Sequence, residues 1–259
     1  MPRFAANLSL MFTEWPFLDR FAAAADQGFT AVEYLFPYEF PAEDIARKLS
    51  DCRLTQALFN VYPGDFARGE RGFAALPERA SDLSASLPLA LRYAQATGAR
   101  RLHLMAGIAD RNDPRCVARF GDSLKEAAQV FGPHGIDVLI EPLNSRDNPG
   151  YFLTDFALAA TTIDALKLPN LKLQFDIYHR QILHGDVTKA LAAMMPIIGH
   201  VQTASVPLRH EPGTGELDDG FVFATLDRLG YDGYVGCEYR PRAGTLAGLG
   251  WITPYRARK

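Results

Sequence analysis

The segment Gly132-Pro-His-Gly-Ile-Asp-Val-Leu-Ile-Glu-Pro142 decides how the chain is read. It opens on a helix stop, because Gly132-Pro133 closes the run Asp113–Phe131 and proline cannot continue a helix. An apolar run follows from Ile136 and ends on a carboxylate, Glu141. The run is too short for a helix and reads as a buried strand. The unit is helix, turn, strand, with an acidic side chain at the strand's C-terminal end.

Working outward, the same unit recurs in both directions. Further short apolar runs lie at Phe4–Leu10, Ala31–Phe36, Leu54–Val61, Arg101–Ala106, Leu171–Ile177, His200–Ala204 and Tyr234–Tyr239, and with Ile136–Pro142 they make eight. Helices are expected between them at Trp15–Gln27, Leu87–Thr97, Asp155–Leu166 and Phe221–Leu229, with stops at Gly28, Gly98, Pro169 and Gly230. Strand alternating with helix argues for a parallel sheet. Eight such units predict an α/β chain folded as a closed (β/α)₈ TIM barrel, and 259 residues is close to the roughly 250 typical of one. No linker or low-complexity tract interrupts the pattern, so residues 1–259 are expected to form a single domain.

Bulk properties remove several classes of function. Hydrophobic residues make up 48% and charged residues 22%, enough apolar surface for a large core and unlike a disordered chain. The net charge of −3 and the absence of a basic stripe argue against nucleic acid as a partner. No secretory signal and no run of roughly eighteen apolar residues is visible, which argues against a membrane. Three widely spaced cysteines, Cys52, Cys116 and Cys237, suit a reducing compartment. A cytoplasmic location is expected, and the oligomeric state stays open, a homo-oligomer included.

Barrel enzymes place their chemistry at the C-terminal ends of the strands. Here four successive runs end on, or carry near their ends, Glu141, Asp176, Gln202 and Glu238. Neighbouring strands lie about 4.8 Å apart, so such groups can converge on one ion. Alternation supports their direction: with Glu238 inward, Val235 and Cys237 face the helices, and with Asp176 inward, Leu173 and Phe175 do. Three carboxylates and an amide oxygen form a hard set that suits Mg²⁺ or Mn²⁺ better than zinc. The competing use of a strand-end acid is a helix N-cap or an ion pair. His200, in phase with Gln202, reads as a satisfied core histidine. Two long connections, Tyr62–Gly72 and Ser205–Glu216, are each either a lid or a solvated loop.

The chain resembles the hydroxypyruvate isomerase family, 2-oxotetronate isomerases included, within the xylose-isomerase-like barrels. The resemblance is carried by Asn7-Leu-Ser-Leu-Met-Phe12, Val32-Glu-Tyr-Leu-Phe-Pro-Tyr38, Ile140-Glu-Pro-Leu-Asn144, Phe175-Asp-Ile-Tyr-His179, His200-Val-Gln-Thr-Ala204, Pro207-Leu-Arg-His-Glu-Pro-Gly-Thr-Gly-Glu216 and Gly236-Cys-Glu-Tyr239. It implies that Glu141 and Glu238 are the acid–base pair, and that both bind a divalent ion together with Asp176 and Gln202. Related sugar epimerases use histidine where this chain has Gln202.

The implied substrate is a small sugar acid isomerised through an enediolate. Its carboxylate needs a cation or several donors, for which Arg209, His210 and His179 are the candidates. Asn7, Asn60 and His103 are expected to line the pocket, and Glu33 to pair with an arginine. Tyr151-Phe152 either covers the substrate or staples the following helix. Three alternatives remain at this level: a ketose 3-epimerase with the same metal and glutamates, an apurinic endonuclease, which needs a histidine-rich multi-zinc cluster and a basic rim, and a catalytically silent sugar-acid binder.

Overall fold

In the computed structural model, which describes residues 1–255, eight parallel strands close into a barrel in sequence order. They are β1 (Arg3–Asn7), β2 (Ala31–Glu33), β3 (Thr55–Asn60), β4 (Arg101–His103), β5 (Asp137–Ile140), β6 (Leu171–Asp176), β7 (Ile198–Thr203) and β8 (Tyr234–Cys237). Pairing of Arg3 with Tyr234 through Ala6 with Cys237 joins the last strand to the first. All eight expected strands are present, mostly shortened at their ends. The helices around them are α1 (Arg20–Asp26), α2 (Ala42–Asp51), α3 (Ala80–Thr97), α4 (Pro114–Phe131), α5 (Phe156–Leu166), α6 (Ile177–Leu183), α7 (Val187–Met194), α8 (Asp219–Arg228) and the single turn α9 (Thr245–Gly248).

Several helices differ from the sequence reading, each for a local reason. Helix α1 starts at Arg20, after a 3₁₀ turn at Phe17–Asp19, and not at Trp15. Helix α3 starts at Ala80 and runs through Pro88, which sits on the exposed face with Ser84. There the carbonyl that loses its amide partner stays open to water. Helix α2, unanticipated, buries Ala42, Ile45 and Leu49 on one stripe. Helices α6 and α7 are only seven and eight residues long, and the consecutive buried residues Ile177, Tyr178 and His179 give α6 no readable period.

Alternation divides each strand between two environments. Outward residues pack on the helices: Phe175 lies 5.1 Å from Phe156 of α5, and Phe4 lies 5.2 Å from Phe223 of α8. Inward residues fill the barrel in layers. Ala5, Ala31 and Ala57 form a small apolar cluster of their own. Two residues further along β1 and β2 come Asn7 and Glu33, both buried, so a polar layer sits above an alanine floor. The three cysteines are unpaired. Among the described residues no helix is long and apolar enough to cross a membrane.

Candidate active site

A cavity of about 510 Å³ opens at the C-terminal ends of the strands, lined among others by Asn60, His103, Glu141, His179, Arg209 and Glu238. Asp176 and Gln202 are buried and do not line it. Ligand atoms of Glu141, Asp176 and His179 all lie within 4.8 Å of one another. Two of the four expected strand ends, Glu141 and Asp176, therefore converge, and α6 adds a histidine to them; Glu238 is not part of that cluster, and the Gln202 amide is engaged by Gln174 and Glu33.

Each of the two carboxylates has one oxygen tied down and one without a hydrogen bond. Glu141 Oε2 accepts from Gln174 Nε2 at 2.9 Å, while Glu141 Oε1 is buried with no hydrogen bond. Asp176 Oδ1 caps helix α6, accepting from the Tyr178 amide at 2.8 Å, while Asp176 Oδ2 is likewise buried and unbonded. Both uses weighed for a strand-end acid thus occur in one residue: N-cap on one oxygen, open position on the other. Two orphaned carboxylate oxygens facing one point leave a buried polar deficit, and a divalent cation with oxygen preference fits it.

His179 has a fixed tautomer. Its Nδ1 accepts from the Asn144 backbone amide at 3.0 Å and faces the Asn144 side-chain nitrogen at 2.8 Å, so the proton of the neutral ring sits on Nε2. That nitrogen lies 3.6 Å from Asp176 Oδ2 and 4.0 Å from Glu141 Oε1. A protonated Nε2 donates a hydrogen bond and does not ligate a metal. Burial, with Arg209 and His103 adding, holds His179 well below the usual histidine range, and burial pulls His103 down to about 3. Both rings are neutral.

The carboxyls shift the other way. Burial raises Glu141 well above the usual carboxylate range, and repulsion from Glu238 and Asp176 adds to it. Burial lifts Asp176 to about 6 and Glu238 to about 8, each against the pull of Arg209. Arg209 Nη2 sits 2.8 Å from Glu238 Oε2 and 3.7 Å from Asp176 Oδ2. Burial disfavours the Arg209 charge, but Glu238, Asp176 and Glu141 outweigh it and hold the guanidinium above its usual range. Three carboxyls against one arginine leave an acidic excess, the electrostatic counterpart of the two orphaned oxygens.

Beneath this floor the polar layer is a hydrogen-bonded network centred on Glu33. Glu33 accepts from Gln202 Nε2 at 2.7 Å and from Asn7 Nδ2 at 3.0 Å, and meets His200 Nε2 at 2.7 Å. The expectation of an arginine partner for Glu33 is corrected: histidine and two amides hold it. Gln202 Oε1 in turn accepts from Gln174 Nε2 at 2.6 Å, so the amide of Gln202 is oriented with its oxygen toward Glu141's neighbour. Gln174 escaped the sequence reading, although its parity with Asp176 on β6 marked it as inward. Gly236 makes room for the network, since a Cβ there would run into the Glu33 carboxylate.

Of the other residues expected at the substrate, Asn60 and His103 line the cavity. Asn7 does not, being engaged with Glu33 below. His210 does not either; its Nδ1 meets the Arg240 carbonyl at 2.8 Å. Tyr151 and Phe152 are core residues: the Tyr151 hydroxyl accepts from the Ala106 amide at 2.7 Å, and Phe152 packs on Phe120 at 5.1 Å.

This layered, closed barrel with acids at its mouth has clear relatives. The family described as xylose isomerase-like TIM barrel matches residues 21–255. A 2-oxo-tetronate isomerase of Cupriavidus necator is 53% identical, with 100% of each chain covered. The hydroxypyruvate isomerase of Escherichia coli is 40% identical over 99% of this chain and 100% of its own length. A solved structure from Brucella melitensis, described as an AP endonuclease of family 2, is 49% identical, covers 99% of this chain and 100% of its own, and superposes with a TM-score of 0.96. The chain belongs to the xylose isomerase-like TIM barrel family, in its hydroxypyruvate isomerase branch, and is an isomerase.

Proposed function

We propose that the protein isomerises a small sugar acid, hydroxypyruvate to tartronate semialdehyde or 2-oxotetronate, by proton transfer between adjacent carbons through an enediolate. The observation that carries this is the pair of buried oxygens without a hydrogen bond, Glu141 Oε1 and Asp176 Oδ2, that converge beside His179. Glu141, Asp176, Gln202 and Glu238 are the residues that would hold Mg²⁺ or Mn²⁺. When bound, the ion supplies electrostatic stabilisation of the negative charge that develops on the substrate's two oxygens.

The chain's own groups do the rest. One glutamate of the pair Glu141 and Glu238 removes the carbon-bound proton and the other delivers one to the neighbouring carbon, while the hydroxyl proton is carried by one of the same carboxyls to the former carbonyl oxygen; the reverse reaction exchanges their roles. Their raised pKa values suit carboxyls that must alternate between acid and base near neutral pH. Neutral His179 donates from Nε2 toward the developing oxyanion, with Asn144 fixing that tautomer. Arg209 keeps Glu238 oriented through the 2.8 Å contact.

The description of the Brucella structure points to DNA. Against it stand the net charge of −3 and, among the described residues, a metal-prone cluster with a single histidine. The test is proton NMR in D₂O with hydroxypyruvate, 2-oxotetronate and fructose, each with Mg²⁺ or Mn²⁺ and again with EDTA. Solvent exchange beside the carbonyl of a sugar acid, lost in EDTA and reduced at least 100-fold by Glu141→Gln, is the expected result, since a general acid or base contributes about 10²–10⁴-fold. Exchange on fructose alone would make the protein a ketose epimerase. No exchange on any substrate would make it a binder.

A further inference from the structure

The cavity holds an arginine that the acidic floor does not use. Three guanidinium groups line it: Arg71, Arg209 and Arg240. Arg209 is committed to Glu238 and Asp176. Arg240 is exposed at the rim. Arg71 is half-buried, on the connection after β3, and is built into the wall. Its guanidinium lies 3.9 Å from the Phe66 ring centroid, and its Nη1 donates to the carbonyls of Phe66 at 3.0 Å and Glu70 at 2.9 Å.

No carboxylate among the described residues ion-pairs with it. The obvious partner, the adjacent Glu70, is taken by Arg79 and by the Asp65 amide. Burial without a counter-anion lowers the Arg71 pKa. Its protein hydrogen bonds leave from Nη1 alone, so the Nε–Nη2 edge, whose two parallel donors match a carboxylate, has no protein partner among the described residues.

The connection carrying it is clamped. Gly72 bridges Ala106 at φ +97°, and a Cβ there would collide with the Met105 backbone. Phe66 also packs on Phe36 at 5.0 Å. The connection, expected as a lid or a solvated loop, is a fixed wall at this point.

We propose that Arg71 is the anchor for the substrate carboxylate and the residue that selects sugar acids over neutral ketoses. This rests on the isomerase reading above. The reacting carbonyl and hydroxyl must sit at the Glu141–Glu238 floor, where Arg209 is already paired, so the carboxylate at the other end of the substrate needs a donor pair elsewhere in the wall. The carboxylate end therefore turns to Arg71, the half-buried cation built into the wall, and not to Arg240, which water already solvates at the rim. A neutral sugar leaves that guanidinium unpaired and half-desolvated, which penalises it.

The test uses the Mn²⁺-loaded full chain and two non-reacting probes, glycerate and its neutral amide glyceramide, measured by calorimetry beside hydroxypyruvate kinetics. Arg71→Met is expected to weaken glycerate binding and raise the hydroxypyruvate KM about 10–100-fold, the range of a charge-assisted hydrogen-bonded pair. Glyceramide binding should change less than about 3-fold and kcat much less than KM. Arg71→Lys, which keeps the charge and the stem over Phe66, should recover part of the loss and serves if the methionine variant does not fold. Equal loss for both probes, no loss, or a loss that appears at Arg240→Met instead overturns the anchor. A wild-type enzyme inactive on every sugar acid overturns the isomerase reading and the anchor with it. An active wild type with an indifferent Arg71→Met overturns the anchor alone.

Discussion

Raising pH should destabilise the metal-free protein and leave the metal-loaded one unharmed. Glu238 is held at about 8 and Glu141 well above its usual range; the unfolded chain releases the same protons near 4.3. Between those values the native state binds more protons than the unfolded one, so unfolding free energy falls as pH rises. Below about pH 6.5 the effect is opposed, because His103 and His179 are kept neutral in the native state and become protonated on unfolding. The clean window is therefore pH 6.5 to 8. There each retained proton costs about 1.4 kcal/mol per pH unit, so Glu238 alone gives a loss of up to roughly 2 kcal/mol. For a chain of this size that is about 4–8 °C in Tm, and Glu141 acts in the same direction. The assay is a thermal melt at half-unit pH steps, in EDTA and in excess Mn²⁺. The ion binds the deprotonated carboxylates, so its stabilisation should grow with pH and cancel or reverse the slope. A Tm that is flat from pH 6.5 to 8 in EDTA, or that falls equally with Mn²⁺, would refute the acidic-excess account of the floor.

Three further outcomes follow from the packing around that floor. Gly236→Ala should lower unfolding free energy by roughly 1–3 kcal/mol in urea titration, because the added Cβ meets the Glu33 carboxylate and the polar layer cannot spread. Glu33→Ala leaves the donors of Asn7, Gln202 and His200 unmatched and frees the Gln202 amide to turn; Mn²⁺ affinity by calorimetry should fall about 10–100-fold, as for lost groups that orient ligands. Gly72→Ala forces a side chain into positive φ against the Met105 backbone. It should loosen the wall carrying Arg71, raising KM for a sugar acid more than it lowers kcat, while a melt shows at most a few degrees of loss.

Local pattern was sufficient for the architecture. Strand number follows from the repeated short apolar runs, and the inward direction of Asp176 and Glu238 from alternation, while a parallel barrel turns equivalent strand ends into neighbours whatever the rest of the sequence does. The family resemblance rested on the same strand-end segments. Short helices with no period, such as α6, were beyond that reading, and so was the start of α3 on the far side of Pro88.

What only the tertiary structure decided is the partition of charges and protons among those residues. Arg71 and Arg209 look alike in sequence, both in long connections after strands. One is neutralised by Glu238 and Asp176 and the other meets only backbone carbonyls and a ring. The Glu33 network joins β1, β2 and β7 across the barrel, and the Asn144 amide that sets the His179 tautomer comes from the connection after β5. Side-chain periodicity encodes which face a residue takes. Which partner waits on that face depends on chain segments far apart in sequence, brought together only when the barrel closes.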